Sequence, residues 1–315
     1  MSEERGFVMR VLEDSDVDEY GRMLHASFNA WYWKHGWGKD YFACAPAETA
    51  IFYDIYKDLT PGCGVAAVDG RTGAIAGACF YHPRPTHVSL GIMAVHPDYW
   101  GKGAGRALVE FILRFTRDNG YPACRLVASA INMNSFSLYN RAGFLPRYAY
   151  HDMVLPVPDG RAASRKVVGR DHVRDARIDD VAAMAELEME VSGIRREIDY
   201  RYAIANPRGV LAAAVCENDA GGIDGYLISI RHPALSMMGP CVARHEDTAL
   251  ALVAGQLERF RGTGVLMLVP MEKRKMVNEF YRWGAVNVET HLKQVWGRFQ
   301  RFQGVNMPGF LPETG

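Results

Sequence analysis

The stretch Val95-His96-Pro97-Asp98-Tyr99-Trp100-Gly101-Lys102-Gly103-Ala104-Gly105-Arg106 decides how this chain is read. The run before it, Val88 to Val95, has the apolar content of a buried strand. After it, Leu108, Phe111, Ile112 and Phe115 fall at i, i+3, i+4 and i+7, one face of an amphipathic helix. A strand, a turn with three glycines and a helix start leave several backbone N–H groups unpaired and aimed outward. Such a helix N-terminus favours a phosphate, because the orphan donors and the helix dipole both attract an anion. Lys102 and Arg106 add positive charge there. Spacing excludes two other phosphate loops. Lys102 is followed by Gly103, not by the Ser or Thr of a P-loop. Arg106 and Leu108 stand where a dinucleotide fingerprint needs its third glycine.

A second segment lies downstream: Asn132-Met133-Asn134-Ser135-Phe136-Ser137-Leu138-Tyr139-Asn140-Arg141-Ala142-Gly143-Phe144. Together the two resemble the GNAT superfamily of acyl-CoA-dependent N-acetyltransferases. That family's pyrophosphate loop, Arg/Gln-x-x-Gly-x-Gly/Ala, falls on Trp100, Gly103 and Gly105. Trp100 departs from the usual Arg or Gln, in a loop that works mainly through backbone donors. Its other marker, an Asn seven residues before a Tyr in a Leu-Tyr-x-x-x-Gly-Phe run, is met by Asn132, Leu138, Tyr139, Gly143 and Phe144.

The resemblance implies an α/β (α+β) fold: a mixed, mostly antiparallel sheet with a splayed central strand pair and helices on both faces. It implies acetyl-CoA as cosubstrate. The pantetheine arm would pair with Met93, Ala94 and Val95, and the pyrophosphate would rest on the amides of Gly101, Lys102, Gly103, Ala104, Gly105 and Arg106. Asn132 would bind the pantetheine amide region, or serve simply as a helix N-cap before Met133. Tyr139 would give a proton to the departing thiolate, or serve as an aromatic anchor. A phenol of pKa about 10 stays protonated at neutral pH, as an acid must.

At 315 residues the chain is long enough for two ordinary domains. Lys plus Arg equals Asp plus Glu at 36 each, so nothing points to nucleic acid as a partner. No apolar run reaches the length of a membrane span, and the polar start Met-Ser-Glu-Glu-Arg lacks the apolar core of a signal peptide. Six cysteines without C-x-x-C spacing suit a reducing cytoplasm. His82, His87 and His96 show no metal-ligand spacing, so no metal is expected.

The halves echo one another. Arg10-Val11-Leu12-Glu13-Asp14-Ser15-Asp16-Val17 returns as Arg174-Asp175-Ala176-Arg177-Ile178-Asp179-Asp180-Val181. A strand, polar turn and strand over 65–80 recur over 210–228. The expected division is a catalytic domain over 1–156, a linker over 157–172, a GNAT-like copy over 173–299 and a tail over 300–315. In the tail Pro308 and Pro312 prevent a helix, and docking over one domain is expected. The copy reads Gly239-Pro240-Cys241-Val242-Ala243-Arg244-His245-Glu246-Asp247-Thr248 where the phosphate loop should be. It has no glycine after Pro240, and two carboxylates there would repel a pyrophosphate. Aligning Gly143 with Gly284 sets Phe280 opposite Tyr139 and Lys273 opposite Asn132. Tyr281 is one residue out of register, turned about 100° away on a helix. The second copy is expected to be catalytically silent.

In the first half the patterns predict a strand over 7–12, helices over 15–29 and 47–59, and strands over 63–69, 74–82 and 86–95. A helix to Asn119, a strand over 123–130, a helix over 134–142 and a closing strand pair to about 155 follow. Between the first two helices lie Phe28, Trp31, Tyr32, Trp33, His35, Trp37, Tyr41 and Phe42, a candidate wall for an apolar or amphipathic acceptor, or a loop packed on the second domain. The strand 88–95 carries no carboxylate to act as a general base. His87 and Ser89 share a face by period two and form a candidate proton relay. The function expected is direct acetyl transfer to a primary amine of a small molecule or peptide. The alternatives are a non-catalytic acyl-CoA sensor and, further off, a mycothiol-synthase-like acetyltransferase, a resemblance of length and duplication.

Overall fold

The three-glycine turn and the apolar run before it form as read, and the other elements of the first half as far as residue 141 follow in the expected order. The computed structural model describes residues 6–159 and 167–311. The first half runs β1 (Phe7–Val11), α1 (Val17–Lys34), α2 (Ala50–Leu59), β2 (Gly64–Asp69), β3 (Ile75–Arg84), β4 (His87–Val95), α3 (Ala104–Asp118), β5 (Ala123–Ser129), α4 (Met133–Arg141) and β6 (Leu145–Val157). The second repeats that order: β7 (Val173–Asp175), α5 (Val181–Ser192), α6 (Glu197–Ala205), β8 (Leu211–Glu217), β9 (Ile223–His232), β10 (Leu235–Ala243), α7 (Glu246–Gln256), β11 (Thr263–Pro270), α8 (Arg274–Arg282) and β12 (Val286–Gly297). A short strand of the tail, β13 (Val305–Met307), closes the list.

Two expectations need correction. The closing strand pair near residue 155 is one long strand, β6. The aromatic stretch is partly helical, because α1 continues to Lys34 and carries Phe28, Trp31, Tyr32 and Trp33. Part of the expected linker, residues 160–166, and Pro312 with the rest of the tail's end lie outside the described residues.

The halves share one sheet, in the order β1-β2-β3-β4-β5-β12-β6-β11-β10-β9-β8-β7, with β13 beside β10. Each half has given its last long strand to the other. β12 lies antiparallel against β5, with His291 opposite Ser129 and Lys293 opposite Val127. β6 lies antiparallel against β11 along its length. Alternation along the strands sends Ala78 and Phe80 to one face and Cys79 and Tyr81 to the other. On the first face a single apolar core spans both halves, from Tyr20, Phe52 and Phe80 to Met184, Tyr200 and Tyr226. On the opposite face α3 covers the first half with Leu108, Val109, Ile112 and Leu113, and α7 covers the second with Leu250, Leu252 and Val253. A shared sheet and a shared core make the two halves one folding unit.

Candidate active site

β4 and β5 are parallel partners only at Val88 with Cys124 and Ser89 with Arg125. Beyond that point they diverge. An extra residue in β4 between Leu90 and Met93 shifts its register against β3 and turns the end of the strand. On the far side, Ala94 pairs with Ala78 and the His96 amide bonds the Ala76 carbonyl at 2.9 Å. Alternate residues of an antiparallel strand direct both backbone groups to the same side. Met93 and Val95 therefore present theirs to the gap, whereas Ala94 spends its own on β3. Of the expected trio, the strand thus gives the gap two residues. The Val95 carbonyl accepts from Ser27 Oγ at 2.9 Å and from Trp100 Nε1 at 2.8 Å, which ties the loop and α1 to the strand end.

The loop then enters α3 through Gly101 (φ +74°) and Gly103 (φ +95°). A side chain at Gly103 would cost roughly 1–2 kcal/mol in this left-handed conformation. Nothing lies within 4 Å of where a Cβ would stand at either glycine, so a ligand can approach the backbone. The first intrahelical bond runs from the Ala107 amide to the Gly103 carbonyl at 3.0 Å, so the amides of Ala104, Gly105 and Arg106 have no acceptor within the helix. Lys102 points elsewhere: its ammonium bonds the Asp98 carbonyl and lies 5.5 Å over the Tyr99 ring.

Loop and strand edge line one cavity of about 1000 Å³, in which Asn132 and Tyr139 also take part. Lys34, Arg106, Arg117 and Arg141 line it against one carboxylate, Glu110, a balance that favours a polyanion although the whole chain is neutral. Its other end is aromatic, with Phe28, Trp31, Tyr32 and Tyr41 joined by Phe310 of the tail. Asn132 caps α4, its Oδ1 accepting from the Ser135 amide at 3.0 Å. Tyr139 is 5% exposed and meets Phe144 edge to face at 5.9 Å, so the ring is anchored and its cavity face is fixed.

Exchange of strands brings a further group to this cavity. His291 on β12 lines it, with Nδ1 2.8 Å from Asp152 on β6. Beside it, Glu289 accepts from Tyr32 Oη at 2.8 Å and from Ser129 Oγ. Burial lowers the basicity of His291, but Asp152 and then Glu289 more than offset this, and its pKa is raised. Burial pushes the Glu289 carboxyl up, against the opposing pull of His291. Asp152, Glu289 and His291 have potential ligand atoms within 4.8 Å of one another, and these atoms are engaged in the hydrogen bonds just named.

The Acetyltransferase (GNAT) family model matches residues 26–144, and the Acetyltransferase (GNAT) domain model matches residues 184–296. The chain belongs to the GNAT acetyltransferases. A putative acetyltransferase from Pyrococcus horikoshii shares the fold at TM-score 0.72 and 16% identity, over 95% of this chain and 92% of that one. A tandem GNAT protein from the clavulanic acid biosynthesis pathway does so at 0.60 and 16%, over 92% and 98%. A mycothiol acetyltransferase from Cellulomonas flavigena is 30% identical over 150 residues, 46% of this chain and 38% of that protein. The chain spans less than half the length of the curated relatives it matches.

The chain carries two GNAT copies, and their sites differ. In the second copy Lys273 stands at the N-cap of α8 without a side-chain cap bond where Asn132 caps α4, Phe280 is fully buried where Tyr139 lines a cavity, and Tyr281 is 46% exposed. The gap beyond the β10–β11 pairs, Met237 with Leu266 and Met238 with Met267, is filled. β13 occupies it, pairing Cys241 with Met307, Val242 with Asn306 and Ala243 with Val305. The tail docks as expected, on the second half. It also reaches back, Tyr56 Oη bonding the Phe310 carbonyl.

The relay from His87 is not built. His87 is 1% exposed, is absent from the cavity wall, and holds Ser89 Oγ at 3.0 Å and Thr86 Oγ1 at 3.0 Å. Burial, with the nearby Arg125 charge, depresses its pKa far below the ordinary value. Sequence reasoning missed Asp152, Glu289 and His291. Glu289, His291 and Lys293 do alternate on one face of a strand, a polar stripe unusual for a buried position. Nothing in that stripe says which half of the molecule the strand joins.

Proposed function

We propose that the protein transfers the acetyl group of acetyl-CoA directly to a primary amine of a small molecule or peptide, and that only the first half binds the cosubstrate. One observation carries this reading. A single cavity joins a helix N-terminus with glycine-opened amides, an unpaired strand edge and an aromatic basin. The amides of Gly101, Gly103, Ala104, Gly105 and Arg106 suit a pyrophosphate, with Arg106 on the rim; Lys102 drops out, because its amide bonds the Tyr99 carbonyl at 3.2 Å. The Met93 backbone and the Val95 amide suit the amide-bearing pantetheine arm, the Val95 carbonyl being held by Ser27 and Trp100, and a main-chain donor there is placed to polarise the thioester carbonyl. Tyr139 is the proton donor to the thiolate. No cysteine lines the cavity, and burial pushes the Cys124 thiol up to about 12, which speaks against an acyl-enzyme. The aromatic basin supports an acceptor amine with an apolar body.

Calorimetry with acetyl-CoA tests the assignment. We expect one site per chain, no binding after Gly103→Glu, and unchanged affinity after Glu246→Lys at the counterpart turn. Two equivalent sites, or a site that survives Gly103→Glu, would mean that the halves are assigned wrongly. A panel of primary amines with thiol-release detection then seeks the acceptor. The likeness to a mycothiol acetyltransferase adds a cysteinyl glycoside to that panel. Tight binding without thiol release would favour the acyl-CoA sensor.

A further inference from the structure

We propose that His291, brought into the first half's cavity by the last long strand of the second half, is the general base of the reaction, with Asp152 as its positioning residue. The inference rests on the acetyltransferase reading above. Asp152 takes the Nδ1 hydrogen at 2.8 Å, and this fixes the tautomer and the ring plane. Nε2 then carries the lone pair, on the edge of the ring away from Asp152. The ring lines the cavity, held on one side by Phe310 at a centroid distance of 5.5 Å. Glu289 is the rival, but Tyr32 and Ser129 occupy its two carboxylate oxygens. The titratable groups around His291 are Asp152 and Tyr150 on β6, Glu289 and Lys293 on its own strand, and Tyr32 on α1.

The proton count closes. An acceptor ammonium gives one proton to Nε2, and the freed nitrogen pair forms the C–N bond at the thioester carbon while the carbonyl pair moves onto oxygen. Collapse restores the carbonyl and breaks the C–S bond, whose electron pair leaves on sulfur. Tyr139 supplies the thiolate's proton and regains one from the new amide nitrogen. His291 returns its proton to solvent, so one proton is released per turnover. An isolated first half, which lacks β12, would hold no such base.

His291→Asn keeps a donor for Asp152 but cannot take a proton. Single-turnover transfer from acetyl-CoA is measured with phenethylamine first, then with the fastest amine of the panel. Transfer is expected to fall about 10²–10⁴-fold while acetyl-CoA affinity is unchanged. The rise of rate with pH should disappear in this variant. Asp152→Asn removes the carboxylate that favours the imidazolium, so the same rise should move to lower pH. A merely structural role would lower stability and leave the pH profile in place. An unchanged rate in His291→Asn, or a pH profile unmoved in both variants, would overturn the proposal. So would a wild-type protein that binds acetyl-CoA yet releases no thiol with any amine. Failure of the wild type to bind acetyl-CoA would instead strike the cofactor site itself.

Discussion

The gap between β4 and β5 and the gap between β10 and β11 are the same feature with opposite fates. Both strands that border them carry an extra residue at the same place, Gly91-Ile92 in one and Gly239-Pro240 in the other. Both then turn away from a parallel neighbour after two paired residues. In the first half the freed edge at Met93 and Val95 opens on a cavity lined with cationic side chains. In the second, the equivalent edge at Cys241 and Ala243 is hydrogen-bonded to the chain's own tail. An unpaired strand edge costs free energy unless something pairs with it. One half leaves that edge open to the cavity, and in the other the tail pairs with it. The second copy thus lacks an open edge, a glycine turn and a counterpart of the Tyr139 phenol.

The largest effect should come from removing the filling. Ending the chain after Gly304 takes away Val305, Met307 and Leu311, each 1% exposed or less, and strips the edge of β10. Three such side chains contribute roughly 1.5–3 kcal/mol apiece, against a total stability of about 5–15 kcal/mol. We expect a fall in Tm of roughly 10 °C or more, or insoluble protein. Gly239→Ala is the milder form, because the new methyl would stand 2.4 Å from the Pro308 carbonyl oxygen. Calorimetry on either variant sharpens the comparison. Acetyl-CoA should still bind once, because α7 opens on Glu246 and Asp247 where α3 opens on Ala104 and Gly105. A second acetyl-CoA bound by the opened half would show that the tail alone silences it.

What could be read from the sequence, and what could not, divides along the range of the interactions. Turn, helix start and helix cap are local, so the loop over 100–106 and the cap at Asn132 were legible from residue type and spacing. The residues by which the second copy departs from the first, Phe280 and Glu246, were legible for the same reason. Strand exchange was not. β6 and β12 each satisfy period two in any sheet that offers one polar and one apolar neighbour. Their choice of partner rests on contacts between residues more than a hundred positions apart, such as Ser129 with His291. His87 failed as a base for a related reason. Alternation put it correctly on a face with Ser89, but only the tertiary packing decides that this end of the strand is sealed.

An intermediate effect separates the two aromatic positions. Tyr139→Phe should lower kcat by about 10²–10⁴-fold with acetyl-CoA affinity nearly unchanged, because the hydroxyl matters when the thiolate leaves. Phe280→Tyr should add no activity and should destabilise by roughly 1–3 kcal/mol, since its new hydroxyl would enter a fully buried apolar site. Stopped-flow thiol release and thermal melts check the pair. Unchanged turnover in Tyr139→Phe with chemistry rate-limiting would take the phenol out of the mechanism.

The smallest effect concerns what the copies still share. Arg10 and Asp16 open the first half with an ion pair at 2.6 Å, and Arg174 and Asp180 open the second with one at 2.7 Å. Each aspartate also accepts a backbone amide three residues before it, from Glu13 at 2.8 Å and from Arg177 at 2.7 Å. The arginine in each pair holds the carboxyl below its ordinary pKa. A folded pKa below the unfolded value adds stability that is present above the unfolded pKa of about 3.9 and lost as pH falls through the folded one. Asp16→Asn should therefore cost about 1 kcal/mol near neutrality, shrinking in acid below the unfolded carboxylate value. Asp180→Asn should cost less, because Arg174 keeps a second carboxylate, Glu217, at 2.6 Å. Urea melts at neutral and acid pH read both, and the double variant should show the sum, since the two sites lie in different halves and share no partner. Equal costs at both pH values would mean that the motif acts by shape rather than charge. A larger loss in the second half would mean that this copy leans harder on its opening ion pair than the first does.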